Sequence, residues 1–284
     1  MPASSHGQAL SPAGESARRN DPDRFLAALA APAARREHLF AVLAFEHEIA
    51  RTREVVSDAM LGQIRLQWWD DAVAALADGG RPPVADPMPA LADAVAAGGV
   101  TVAALLAMVE GRRQDLEEAP PETLEDLEAY ARATGGAVGR ALAEALGHEG
   151  PAAEPAIAVG TGWALAGILR ALPYHARRNE VLLPTAALDA AGLTAHDIAG
   201  GRGGAALAAI VRDVAGAAEA RFAAARAMRP ARGLLPALLP ARLARVHLAR
   251  LARAGHDPFA PALRRPDGLR AARIGWGAWT GRWW

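Results

Sequence analysis

Phe40-Ala-Val-Leu-Ala-Phe45-Glu46-His47-Glu48-Ile49-Ala50-Arg51-Thr52-Arg53-Glu54 is the stretch on which the fold turns. Leu39, Val42, Leu43, Ile49 and Val56 recur at helical spacing, and Pro32 stands where an opening turn tolerates proline, so a helix is expected over about 33–56. Charged residues interrupt this apolar run. Ionisable groups in apolar helical surroundings are costly unless they are paired or line a cavity. Glu46, Ala50 and Glu54 are spaced by four and are expected to share one helix face.

The same periodicity continues along the chain. Ser57-Asp58 is expected to cap a helix over about 58–77 with Met60, Leu61, Ile64, Trp68 and Ala72 on one face. Gly79-Gly80 and Pro82-Pro83 end it, and helices over about 88–97 and 101–117 follow, separated by Gly98-Gly99. After Pro120-Pro121 a helix starts near Thr123 and carries Gly135, Gly136 and Gly139, a spacing suited to close backbone approach. Helices over about 155–172, 205–228 and 241–254 come next, with Pro173 to Pro184 expected as a loop, Gly200 to Gly204 as a turn, and a helical tail from Pro266. Sustained period-two alternation is absent, which makes the chain all-α. Residues 1–20, rich in Ser, Gly and Pro, read as a disordered lead-in, and 21–284 as one helical domain.

Composition narrows the chemistry. Of 284 residues 52% are apolar and only 5% aromatic, so alanine and leucine must supply most of the core. The 31 basic and 31 acidic residues cancel, and no global field draws the chain to nucleic acid. Cysteine is absent, which removes disulfides, thiolate catalysis and cysteine metal sites. Every basic residue is arginine, and the lack of lysine excludes a Walker-type loop and Schiff-base chemistry. Serine occurs only at Ser4, Ser5, Ser11, Ser16 and Ser57, which argues against a serine hydrolase. No apolar run approaches the roughly 18 residues of a bilayer span, and the first twenty residues lack a secretory h-region.

Gly160-Thr161-Gly162 follows no strand, so it reads as helix packing and not as a dinucleotide fingerprint. The histidines show no metal-binding spacing, and His38, His148, His196, His247 and His256 read as surface or helix-end residues. A second charged segment stands out: Ile168-Leu169-Arg170-Ala171-Leu172-Pro173-Tyr174-His175-Ala176-Arg177-Arg178-Asn179-Glu180-Val181-Leu182-Leu183-Pro184. Taken singly, each charge in the two segments is equally well read as half of an interhelical ion pair.

The two segments resemble the two acidic helices of the squalene/phytoene synthase family. The likeness runs from about Asp21 to Phe259 and includes Phe25, Pro32, Arg36 and Phe40, the span Tyr130 to Gly139, and Arg253-Ala-Gly-His-Asp257-Pro258-Phe259. It implies a single-domain helical bundle of the trans-isoprenyl diphosphate synthase (terpenoid synthase) type. The family's chemistry uses aspartates on both helices to hold Mg²⁺, which clamps prenyl diphosphates. Here Ala50 and Arg51 stand in place of the leading acids of the first motif, with Glu54 the surviving acid. In the second motif Ala171 and His175 replace the aspartates, and Gly167 replaces the preceding asparagine. The degenerate first motif thus comprises Glu46, His47, Ala50, Arg51 and Glu54, and the second Gly167, Arg170, Ala171, His175 and Arg178. Arg51, Arg170 and Arg178 remain as anion-attracting groups. No catalytic residue and no metal ligand is assigned, and no cofactor is expected.

A catalytically degenerate subgroup, which includes a mitochondrial complex I assembly factor with a phytoene-synthase-like fold, is more similar still. That likeness rests on Met60-Leu61-Gly62-Gln63-Ile64-Arg65-Leu66-Gln67-Trp68-Trp69, Gly111-Arg112-Arg113-Gln114-Asp115-Leu116, Glu128-Ala-Tyr130-Ala and Leu172-Pro173-Tyr174-His175. It implies a non-catalytic role with respiratory complex subunits or assembly factors as partners, or binding of an isoprenoid lipid. The alternative is an active prenyl transferase joining prenyl diphosphates head to head, with Mg²⁺ on a rearranged site of Glu46, Glu54 and His175. Trp68 and Trp69 diverge by about 100° on a helix, so one packs in the core while the other, with Tyr174, lines a cavity or a partner surface. Trp276, Trp279, Trp283 and Trp284 with Arg264, Arg265, Arg270, Arg273 and Arg282 read equally as a packed helix or as a peripheral membrane contact. The expected location is the cytoplasm, with contact at the inner face of the membrane.

Overall fold

The computed structural model describes residues 9–56, 58–79, 83, 85–117 and 119–284, and among these there is no strand. The chain opens with α1 (Pro12–Asn20), α2 (Pro22–Ala28), α3 (Ala33–Ala50) and the single turn α4 (Thr52–Val55). It continues through α5 (Ala59–Ala74), α6 (Met88–Ala96), α7 (Val102–Arg113) and α8 (Leu124–Ala131), and a π-helical stretch, Arg132–Gly136, leads into α9 (Ala137–Ala145). The second half comprises α10 (Glu154–Ala176), the short α11 (Thr185–Ala190) and α12 (Ala195–Ala199), then α13 (Gly204–Ala227), α14 (Leu235–Leu238), α15 (Pro240–Arg253) and α16 (Arg270–Thr280).

Start signals are local. Asp58 accepts from the Leu61 amide at 3.0 Å, Thr101 from Ala104 at 3.1 Å, and Thr123 and Thr194 each form a capping box with Asp126 and Asp197. Ser57, expected to share the cap with Asp58, and the stop residues Gly80 and Pro82 lie outside the described residues.

α10 is the central helix, packed by α13, α15, α8, α9 and the π-helical stretch. It belongs to a span, Gly150–Ala176, that is long and apolar enough to cross a membrane, contrary to the expectation of no such run. Two-thirds of its apolar window (67%) is buried inside the domain, which accounts for its hydropathy. Its partners come close because small residues face one another. A Cβ on Gly139 would overlap the Ala156 carbonyl, and one on Gly160 the Gly135 carbonyl. Both neighbours are helix backbone and cannot swing aside. Gly160→Ala is therefore expected to lower the unfolding free energy by about 1–3 kcal/mol, whereas Gly216→Ala, which meets open space, is expected to stabilise α13 slightly. Denaturant midpoints of the two variants check this. Equal midpoints would mean that the helices separate freely.

Three expectations are corrected. Residues 12–20, read as part of a disordered tail, form α1: Ser11 accepts from the Gly14 amide at 3.0 Å, Pro12 sits in the first turn, and Ala13 and Ala17 bury against the core. The segment expected as loop from Pro173 to Pro184 is loop only from Arg177, because α10 continues through Pro173 to Ala176. Buried Leu172 and Ala176 anchor this turn on either side of the amide hydrogen bond that proline forfeits. On α5 the stripe Met60, Leu61, Ile64 and Trp68 faces outward, with Met60 73% and Ile64 60% exposed, and only Ala72 of that set is buried. The inward face is Gly62, Leu66, Trp69 and Val73, an equally regular set that claims the core.

Candidate functional site

A cavity of about 1030 Å³ opens between α3, α4, the end of α7, α8 and α10, and is closed on its far side by the segments around α11 and α12. The loop at Pro120–Glu122 is tied to the start of α11 by amide hydrogen bonds from Thr185 to the Pro121 carbonyl and from Ala186 to the Glu122 carbonyl, each 3.0 Å. Continuation of α10 past Pro173 places Gly167, Ala171, Tyr174 and His175 along one wall. Ala50 and Glu54 stand on another, and Arg178 lies just beyond the helix end. The structure thus gathers Ala50, Glu54, Gly167, Ala171, Tyr174, His175 and Arg178 from the two sequence segments around one cavity.

Other expected residues point elsewhere. Glu46, Ala50 and Glu54 do not share a continuous face, since α3 ends at Ala50 and the chain turns at Arg51 before α4. Arg51 does not line the cavity. It pairs with Glu48 at 3.1 Å, and Glu48 also takes Arg65 at 3.2 Å. His47 is half-buried and also outside the cavity lining. Arg170 leaves the second segment for the outer surface, where it lies 5.1 Å over the Trp163 ring and 3.5 Å from Asp23. Trp69 is buried, edge-on to Phe45 at 5.5 Å, while Trp68 is 43% exposed on the outer face of α5 and away from the cavity.

A charge chain that sequence reasoning did not assemble runs from outside the cavity lining, at Asp21, Arg24 and Glu46, into the cavity wall, at Arg112, Asp115 and Tyr130. Glu46 accepts from Arg112 at 2.9 Å and from Arg24 at 3.1 Å, one carboxylate oxygen each. Arg24 also pairs with Asp21, and Arg112 reaches Asp115 at 3.2 Å. Asp115 in turn accepts the Tyr130 hydroxyl at 2.6 Å. Burial pulls the Arg112 guanidinium down, but the Asp115 and Glu46 carboxylates outweigh it and hold it above its usual range. Burial, reinforced by Asp115, pushes the Tyr130 phenol up, so it stays protonated and donates. The available signal was the pair Arg112 and Asp115 at helical spacing in a segment already singled out.

The proposed ligand set of Glu46, Glu54 and His175 does not assemble. Both Glu46 oxygens are committed to arginines, and His175 faces Glu180 at 3.6 Å. Among the described residues no group of three His, Cys, Asp or Glu side chains is placed to hold a metal. Mg²⁺ requires several hard oxygen ligands in near-octahedral array, and although Glu54, Asp115 and Glu180 line the cavity, Ala50, Gly167 and Ala171 bring no side-chain oxygen to it. The donor set does not fit the ion.

His247, expected at the surface or at a helix end, lies mid-way along α15 with Nε2 buried and unpartnered. Burial, with Arg170 and Arg250 adding repulsion, lowers its pKa to about 4. An unfolded histidine titrates near 6.5 and so binds the proton first. Stability is expected to be full above that pH and to fall by on the order of 2 kcal/mol as pH drops from 6.5 towards 4. Comparing unfolding of wild type and His247→Leu across that window checks this, since an unchanged slope in the variant would assign the loss to other groups.

A long helix at the centre, helices packed around it, and a cavity lined from both charged segments make up an all-α fold of the terpenoid synthase type. The structure matches a dehydrosqualene synthase determined with ligand at a TM-score of 0.79, 22% identity, and coverage of 95% of this chain and 94% of that one. Squalene synthase HpnC from Alicyclobacillus acidocaldarius matches at 0.75 and 21% identity over 87% and 94%. The sequence matches the squalene/phytoene synthase family model over residues 17–278, and the chain belongs to that family. NADH dehydrogenase (ubiquinone) complex I, assembly factor 6 of Mus musculus is 27% identical over 272 residues, covering 94% of this chain and 80% of that protein.

Proposed function

We propose that this chain is a non-catalytic member of its family that acts in the assembly of respiratory complex I. The observation that carries the reading is the cavity wall: the helices and the volume persist while Ala50, Gly167, Ala171 and His175 occupy the positions where the family resemblance places metal-binding groups. Ionisation of an allylic diphosphate needs its departing charge neutralised, and losing the ion removes several kcal/mol of transition-state stabilisation. Similarity to the mouse assembly factor over nearly the whole chain supports the same reading. The exposed α5 face of Met60, Leu61, Ile64 and Trp68 supplies apolar area of the kind that protein partners cover. A deletion strain is expected to lose NADH-driven respiration with its isoprenoid products unchanged. Any head-to-head product from the pure protein with farnesyl or geranylgeranyl diphosphate and Mg²⁺ sinks the non-catalytic reading.

The retained volume favours a second reading alongside the first, in which an isoprenoid lipid is held without reaction. Ile168, Leu172, Val181 and Leu182 give the cavity apolar walls. Native mass spectrometry of protein purified from membranes is then expected to show a bound lipid, and an empty cavity counts against it.

A further inference from the structure

The chain is neutral as a whole, but its charge is polarised. Residues 229–284 contain eleven arginines against Asp257 and Asp267, which leaves 20 basic and 29 acidic residues in the preceding 228. The basic end includes α15 and α16, and the tryptophans there divide into two pairs. Trp283 is buried, and Trp284 lies under the guanidiniums of Arg245 and Arg226 at 3.9 and 5.1 Å. Trp276 and Trp279 are instead 55% and 74% exposed, with ring centroids 5.2 Å apart.

Leu269, also exposed, together with Ala272, Trp276 and Trp279 occupies one side of α16 at helical spacing. The opposite side is held down. Ile274 and Gly277 are buried, Arg270 stands 3.6 Å from Asp23 and Arg273 3.1 Å from Asp267. Asp267 is the last acidic residue in the sequence and is already engaged by Arg273 and, at 3.9 Å, Arg250. Exposed Arg264 and Arg265 precede the apolar face and exposed Arg282 follows it.

We propose that this face docks on an anionic phospholipid bilayer, with Leu269, Trp276 and Trp279 in the headgroup layer and the flanking arginines against lipid phosphates. Indole rings settle at the boundary between water and acyl chains, and each arginine near an anionic surface adds about 1 kcal/mol. The excess of eleven arginines over two aspartates in this segment gives it a net positive charge that an anionic surface attracts. The exposed stripe on α5 lacks this match: with its cap residue that helix carries Asp58, Asp70 and Asp71 against Arg65, a net negative charge that an anionic surface would repel. Docking through α16 holds whether or not the cavity binds a ligand.

Flotation of the full chain with phosphatidylcholine vesicles, with and without phosphatidylglycerol, tests the proposal. Wild-type protein is expected to float only with the anionic vesicles and to be released by salt. Trp276→Ala/Trp279→Ala, whose side chains leave the core untouched, is expected to bind about tenfold more weakly or worse, and Arg264→Gln/Arg265→Gln more weakly at low salt alone. Circular dichroism confirms that both variants fold. Undiminished flotation of the tryptophan variant overturns the proposal. So does the absence of flotation with anionic vesicles, which would leave a protein as the occupant of this face.

Discussion

Glu46→Leu is expected to lower the unfolding free energy by about 3–5 kcal/mol, the range seen when one partner of a buried ion pair is removed. The reason lies in the chain of charges that ends in the cavity wall. Arg24 and Arg112 each give one N–H to Glu46, and the side chains of all three are 11–16% exposed. Without that carboxylate two guanidiniums face each other in a poorly hydrated space, with only Asp21 and Asp115 to offset them. Glu46→Gln keeps the shape and one acceptor, so its loss is expected to be smaller. Arg112→Leu/Glu46→Leu should recover part of the deficit, because it leaves fewer unpaired charges. Chemical denaturation of the three variants provides the measurement. A loss below about 1 kcal/mol for Glu46→Leu would show that water reaches this network and screens it. The same geometry carries a second expectation: Mg²⁺ should leave the wild-type midpoint unmoved, since Glu46 has no free oxygen to offer.

The second large effect concerns the cavity. Ala50→Asp/Gly167→Asn/Ala171→Asp/His175→Asp is expected to create Mg²⁺-dependent affinity for farnesyl diphosphate at least about 100-fold above wild type, equivalent to roughly 3 kcal/mol. All four positions line the cavity, and a Cβ at Gly167 meets nothing within 4 Å, so the new side chains have room. Glu54 adds an oxygen donor already in the wall. Arg51 is left alone because it is turned towards Glu48. Titration calorimetry with and without Mg²⁺ reads the gain. Mg²⁺-dependent binding of the diphosphate by the wild-type protein itself would overturn the non-catalytic reading. If the variant gains nothing, the walls stand too far apart to share an ion.

How much was legible can be judged element by element. The long helices were readable because each buries one stripe, and a 3.6-residue period survives in any sequence that does so. Close approach at Gly139 and Gly160 was equally open, although which helices meet there was not. α1 was hidden by a polar composition that resembles a tail, although Ser11-Pro12 is a sound start signal. α10 was cut short at Pro173 because proline is a local breaker, and only the packing around the helix shows that the break is overridden. On α5 an apolar period was legible but the side it faces was not, since two apolar stripes share that helix and only one can face the core.

Composition and periodicity therefore settled that this is an all-α domain, without cysteine or lysine chemistry, whose two charged segments had to be accounted for. Both follow from information carried within one or two helical turns. The direction of each charged side chain did not follow. Glu46, Arg51, Arg170 and His175 sit in similar local sequence, yet one is sealed between arginines, two turn outward to carboxylates, and one faces the cavity. Those directions depend on partners distant in sequence, as with Glu46 and Arg112, 66 positions apart. Only the packing of helices that are remote in the chain decides which partner lies within reach.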